Sequence, residues 1–274
     1  MTAVLLAAMM FEGTMSSPCP KIPHHVQVAT SFYAGHDDAQ ALDLYTPAGV
    51  QNAPLAVYVH GGAWVSGDKS DYVQLGQALA RCGIAAAIVN YPLAPQTPAA
   101  QQAALLGQAV QWLGHNTQRF GYDARRMVLI GHSAGAQLCW YAVVHGIIAR
   151  QAVAGVIAIG AVGIDPSRDV DDLDPQYRSI YAPAFGDDRA HWPEFDIGPQ
   201  LRAGEPPSLV IHGQADFMAP EAISRQLYDQ LKGAGNAVQF LRPPGKGHWD
   251  LIESLSAPGD DTMIAIERFI LSLP

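Results

Sequence analysis

The sequence is poor in cysteine, in charge and in long apolar runs. Only three of 274 residues are cysteine (Cys19, Cys82, Cys139), too few for a disulfide framework in a chain of this length. Three free thiols are expected, with one bridge as the alternative. Charged residues make up 15% of the chain, and 16 Lys and Arg stand against 25 Asp and Glu, a formal net charge of −9. Nucleic acid and anionic membrane surfaces both recruit basic patches, so this balance argues against either as a partner. The run Ala3–Phe11 (AVLLAAMMF) is too short to span a bilayer and has no Lys or Arg before it, the first basic residue being Lys21. Residues 1–20 are therefore read as an N-terminal segment, either a signal remnant or a frayed start. No later run is long enough for a transmembrane helix. A soluble body is expected, cytoplasmic rather than secreted or periplasmic, as monomer or homodimer. Apolar residues are abundant at 49%, which supports a large core and excludes global disorder.

Short β-rich runs alternate with helical patterns. Strands are expected at Val26–Tyr33, Leu42–Thr46, Leu55–His60, Ile84–Asn90, Met127–Gly131, Val153–Ile159, Ser208–His212 and Val238–Arg242. Helices are expected at Tyr72–Arg81, Ala99–Phe120, Ala134–Ile148 and Glu221–Gly233. Leu55–Val59 and Met127–Ile130 are apolar at nearly every position, the pattern of strands covered on both faces. The first two strands lack an intervening helix and should pair antiparallel. The fold class is therefore α/β: a mostly parallel sheet of about eight strands, with helices on both faces, in a single domain over 21–274. A segment at 164–207, rich in Asp, Pro and aromatics, is too long for an ordinary loop and reads as a partly helical, lid-like insert. Its Tyr177, Tyr181, Phe185, Trp192 and Phe195 either line a pocket or pack the insert onto the body. Its cluster Asp169, Asp171, Asp172 and Asp174 reads as solvated.

Gly131-His132-Ser133-Ala134-Gly135 ends an apolar strand and opens a helix. That context makes Ser133 a candidate nucleophile on a strained turn, with the helix N-terminus near developing negative charge. A serine needs a base. His145 lies on the following helix, His191 in the insert, and His212 closes a strand. His248 lies in a glycine-rich loop after the last strand and is the expected base. Asp216, just past the penultimate strand, is the expected acid, fixing the imidazole tautomer; Asp250 on the base's own loop is the weaker alternative. His60-Gly61-Gly62-Ala63-Trp64 follows another strand. Consecutive glycines let backbone N–H groups approach an oxyanion closely. Gly61 and Gly62, with Ala134, are the expected donors, and Gly62 with Ala63 the alternative pair. Trp64 either walls an acyl pocket or packs under the loop. His132, Phe217, Met218 and Trp249 flank these residues and join Trp64 as substrate-binding candidates.

With His60-Gly61-Gly62-Ala63-Trp64, Tyr91-Pro92-Leu93-Ala94-Pro95, Gly131-His132-Ser133-Ala134-Gly135, Asp216 and His248 in place, the chain resembles the α/β-hydrolase superfamily from about Val26 onward. Within it, the chain resembles the carboxylesterase and hormone-sensitive-lipase-like branch, near feruloyl-esterase-like proteins and kynurenine formamidases. Pro92 stands where relatives usually carry Arg. The resemblance implies a serine hydrolase of small-molecule esters, working through an acyl-enzyme on Ser133; the lack of a long cap points to short to medium acyl groups. It implies no cofactor and no metal; His24, His25, His36, Asp37 and Asp38 are not read as ligands. Alternatives are an arylformamidase, an acyltransferase or peptidase on the same scaffold, and a non-catalytic binding protein.

Overall fold

The computed structural model describes residues 17–19, 24–173, 175–257 and 259–274. Among them, one sheet of eight strands runs in the order β1-β2-β4-β3-β5-β6-β7-β8. The strands are β1 (Val26–Phe32), β2 (Ala41–Pro47), β3 (Ala53–Val59), β4 (Ala85–Val89), β5 (Tyr122–His132), β6 (Gly155–Ile159), β7 (Ser208–Ile211) and β8 (Val238–Leu241). β1–β2 pair antiparallel, as expected of strands with no crossover helix between them; β2–β4 is also antiparallel, and the other pairs are parallel. The longer helices are α1 (Val73–Arg81), α2 (Ala99–His115), α4 (Ala134–Val144), α7 (Glu221–Gly233) and α9 (Asp261–Ser272). The shorter ones are α3 (Thr117–Phe120), α5 (Pro166–Asp172), α6 (Tyr181–Phe185) and α8 (Asp250–Glu253).

Strand periodicity divides the core in two. Leu55, Val57 and Val59 of β3, with Met127 and Leu129 of β5, face α2, α4, α7 and the insert. Ala56, Tyr58, Val128 and Ile130 face α1, α8 and α9. The expected helix 99–120 stops at His115, and Asn116 separates it from the short α3. The expected helix 134–148 ends at Val144. α9 was not expected from the sequence; Asp260 caps it, accepting the Met263 N–H at 3.0 Å. No helix among the described residues is long and apolar enough to cross a membrane.

Two sequence expectations fail here. Cys19 and Cys82 are bridged, with Cα atoms 4.6 Å apart, rather than free, and Cys139 is buried in α4. Cysteine counting cannot see that the chain before β1 lies beside the end of α1. Asp169 is fully buried rather than solvated, and its Oδ2 accepts the Asp165 N–H at 3.1 Å. Its helix α5 turns this face inward, next to Tyr181. The N-terminal run Ala3–Phe11, Asp174 and Lys21 lie outside the described residues.

Candidate active site

Every sequence-predicted site residue lies at the carboxyl end of the parallel strands, where α/β sheets hold their ligands. Ser133 joins β5 to α4 with φ 53° and ψ −120°, a conformation that strains any residue with a Cβ. Its neighbours make the turn possible. A Cβ on Gly131 would stand 2.4 Å from the Gly135 carbonyl oxygen, and one on Gly135 would stand 2.2 Å from the Val59 carbonyl oxygen. Both glycines are therefore required by close backbone approach. The Ser133 N–H donates to the Ile159 carbonyl at 2.8 Å, which ties the turn to β6. Ala134 is the first residue of α4, so its N–H has no acceptor within the helix.

Asp216 and His248 meet across two loops. His248 Nδ1 lies 2.7 Å from Asp216 Oδ2. The other Asp216 oxygen accepts the N–H groups of Met218 at 3.0 Å and Ala219 at 2.9 Å. A carboxylate only accepts, so the network assigns the proton to His248 Nδ1 and leaves Nε2 as the basic nitrogen. Burial alone would raise the Asp216 pKa. The hydrogen bond and charge of His248, with the Ala219 N–H, outweigh it and hold the carboxyl below its ordinary value. The two loops are joined by backbone bonds: Gln214 N–H to Pro243 O at 3.0 Å and Ala215 N–H to Lys246 O at 2.9 Å. Gly213 allows this, because a Cβ there would stand 2.3 Å from the Lys246 carbonyl oxygen. A Cβ on Gly160, at the end of β6, would touch both the His248 ring at 3.1 Å and Asp216 Oδ2 at 3.6 Å. Asp250, the alternative acid, instead accepts the Gly247 N–H at 2.8 Å. His212 faces Ser224 Oγ at 3.0 Å, and His191 is exposed beside Glu194.

The glycine loop crosses in front of Ser133. A Cβ on Gly61 would stand 3.0 Å from Ser133 Cβ. Gly62 (φ 109°), Ala63 (φ 53°) and Trp64 (φ 63°) all adopt positive φ, which costs little at glycine and much at tryptophan. The surroundings hold them there. The Trp64 carbonyl accepts the Ala94 N–H and the Gln102 side-chain amide, each at 2.9 Å. Trp64 Nε1–H donates to Gln137 Oε1 at 3.1 Å, and Tyr91 O–H donates to the His60 carbonyl at 2.8 Å. His60 Nδ1–H donates to the Gly61 carbonyl at 2.7 Å, and burial holds the His60 pKa below its ordinary value. The sequence reading named none of Tyr91, Gln102 or Gln137 as a loop support. Gln137, the one amide in the apolar helix α4, was the available signal, because a buried amide must find partners; Gln102 is one of four glutamines in α2 and does not stand out.

Two substrate-binding candidates are corrected. Trp64 has no exposed surface; its ring packs edge-on against Tyr181 at 5.3 Å and Phe185 at 4.8 Å, so it anchors the loop from beneath. His132 is equally buried and cannot touch a substrate. Tyr181, Phe185 and Trp192 of the insert are spent on the same packing and do not line an open pocket. Phe217 is 82% exposed, Trp249 45% exposed and Met218 half-buried.

The sheet order and the elbow define an α/β hydrolase, and solved structures agree. Esterase B of Lactobacillus rhamnosus superposes with a TM-score of 0.76 over 92% of this chain and 87% of its own, at 23% identity. A model of the prolyl oligopeptidase family matches residues 105–260, more than half of the chain, and the chain belongs to that family. A second model, BD-FAE, matches residues 42–152. The isoprenylcysteine alpha-carbonyl methylesterase ICME of Arabidopsis thaliana is 28% identical over 82% of this chain. Esterase LipC of Mycobacterium tuberculosis is 28% identical over 80% of it. The matched part spans 57% and 59% of those two relatives' own lengths.

Proposed function

We propose that the protein is a serine carboxylic ester hydrolase. The observation that carries this reading is the Asp216–His248 pair, set beside a strained Ser133 under a glycine loop. In this mechanism His248 Nε2 takes the Ser133 proton as Oγ attacks the ester carbonyl. Asp216 stabilises the imidazolium that forms. The N–H groups of Gly61, Gly62 and Ala134 hold the oxyanion. The imidazolium then protonates the leaving alcohol, and water, activated by His248, cleaves the acyl-enzyme. The esterase relatives support an ester as the substrate. Short to medium acyl groups fit best, because Trp64 and the insert aromatics fill the space beneath the glycine loop. Phe217, Met218 and Trp249 are assigned to the substrate mouth. The insert at 164–207 serves as a fixed wall of the single domain that carries the site. The Cys19–Cys82 bridge speaks for maturation in an oxidising compartment rather than in the cytoplasm.

The test is an initial-rate panel of p-nitrophenyl esters from acetate to palmitate, with formylkynurenine and a peptidyl anilide beside them. Ser133→Ala serves as blank. Rates should peak on short or medium esters and fall on the order of 10⁴-fold or more in the variant. Formylkynurenine or the anilide turning over above every ester would move the reaction to amide cleavage on the same residues. Wild-type rates no higher than the blank would overturn the reading.

A further inference from the structure

His132 is buried completely between Gly131 and Ser133, yet its ring touches both loops that flank the elbow. Nε2 lies 3.2 Å from the carbonyl oxygen of His248. The ring centroid is 4.7 Å from that of His248 and 5.7 Å from that of Trp249. Nδ1 has no hydrogen-bond partner among the described residues and faces Gly61, where a Cβ would come within 2.8 Å of it. Burial, reinforced by His248 nearby, pushes the His132 pKa well below its ordinary value, so the ring is neutral and carries a single N–H. A carbonyl only accepts, so the hydrogen bond assigns that proton to Nε2. The unprotonated Nδ1 then faces Gly61.

We infer that His132 is a positioning residue for the general base, an inference that rests on the reaction proposed above. Asp216 fixes only the Nδ1 end of the His248 ring, while the backbone carrying that ring belongs to a loop that begins beyond β8. The Nε2–H of His132 pins this backbone at the His248 carbonyl, directly from the residue preceding the nucleophile. The nucleophile's backbone and that of its base are thereby tied through one side chain and one hydrogen bond. The thickness of the same ring sets how closely Gly61 approaches the elbow. Misplacement of a catalytic group by about 1 Å costs on the order of 10²-fold in rate, which gives such a tie its value.

The experiment compares wild type with His132→Phe, which keeps a ring and loses the donor, and His132→Gln, which keeps an N–H at a similar reach. Each is assayed on the best p-nitrophenyl ester for kcat and KM. The Phe variant should lose about 10- to 100-fold in kcat with KM changed less than about threefold, and Gln should recover most of the loss. Wild-type kcat in the Phe variant would overturn the inference and leave the esterase reading standing. So would equal losses in Phe and Gln, which mean packing alone, or a loss confined to KM, which means substrate contact. Absence of Ser133-dependent turnover in the wild type would overturn both. Imidazole ¹⁵N NMR of the wild type reads the tautomer without any variant. A proton on Nε2 of His132 supports the inference and a proton on Nδ1 contradicts it.

Discussion

The loop before Ser133 in the sheet and the loops beyond it are held by opposite means. The glycine loop is fixed by buried side chains. Trp64 plugs into the core, Gln102, Gln137 and Tyr91 satisfy its polar groups, and three consecutive residues accept positive φ as a result. The loops carrying Asp216 and His248 are held by backbone bonds to each other and by the Asp216–His248 hydrogen bond, with Phe217 and Trp249 left in solvent. In the proposed mechanism the glycine loop holds the oxyanion, and an oxyanion hole works by donors that do not move. A base that must turn between serine, leaving group and water is served by a fixed backbone and a freer surface. The tie through His132 is where the two constructions meet.

That contrast is breakable. Among these changes Asp216→Asn should strike hardest, on the order of 10⁴-fold in kcat and no more than Ser133→Ala, since the imidazole remains but loses its tautomer control. Comparable damage from Asp250→Asn would reassign the acid. Trp64→Ala should destabilise the fold by about 3–5 kcal/mol in chemical denaturation and lower kcat, because a buried anchor is lost; unchanged stability would mean that the loop holds itself. Asp169→Asn separates the two sides by pH. Burial raises the Asp169 pKa to about 7, so its protonated form favours the fold. That stability is fully present below its ordinary value of 3.8 and is lost as pH rises through about 7. Asp216, held low, has the opposite sign: its contribution is present above its ordinary value and is lost as pH falls through its folded one. Wild-type unfolding free energy should therefore decline between about pH 4 and 7 by more than that of Asp169→Asn, an effect on the order of a few kcal/mol in chemical denaturation. Identical slopes would remove Asp169 as the cause. Phe217→Ala should be smallest, within about 0.5 kcal/mol in stability and a few-fold in KM. A large loss of kcat would place Phe217 in the machinery.

Legibility in the sequence followed backbone constraint. Gly131, Gly135, Gly61 and Gly62 stand out because close approach or positive φ admits no other residue, and such needs leave a fixed local pattern. The sheet was readable for a similar reason: strands buried on both faces are apolar at every position. Side chains acting at long range left no local pattern. Trp64 in a loop reads equally as pocket wall or anchor until Tyr181 and Phe185, more than a hundred residues later, are seen against it. The Cys19–Cys82 bridge and the buried face of α5 are likewise contacts between distant segments.

Covalent trapping of the nucleophile tests the serine mechanism most directly. Wild type, Ser133→Ala and His248→Ala would each be treated with a fluorophosphonate, digested and mapped by peptide mass spectrometry. The mechanism predicts one adduct per wild-type chain, on Ser133, formed far more slowly without His248 and absent in Ser133→Ala. A wild-type chain that stays unlabelled, or carries its adduct on another residue, would contradict it.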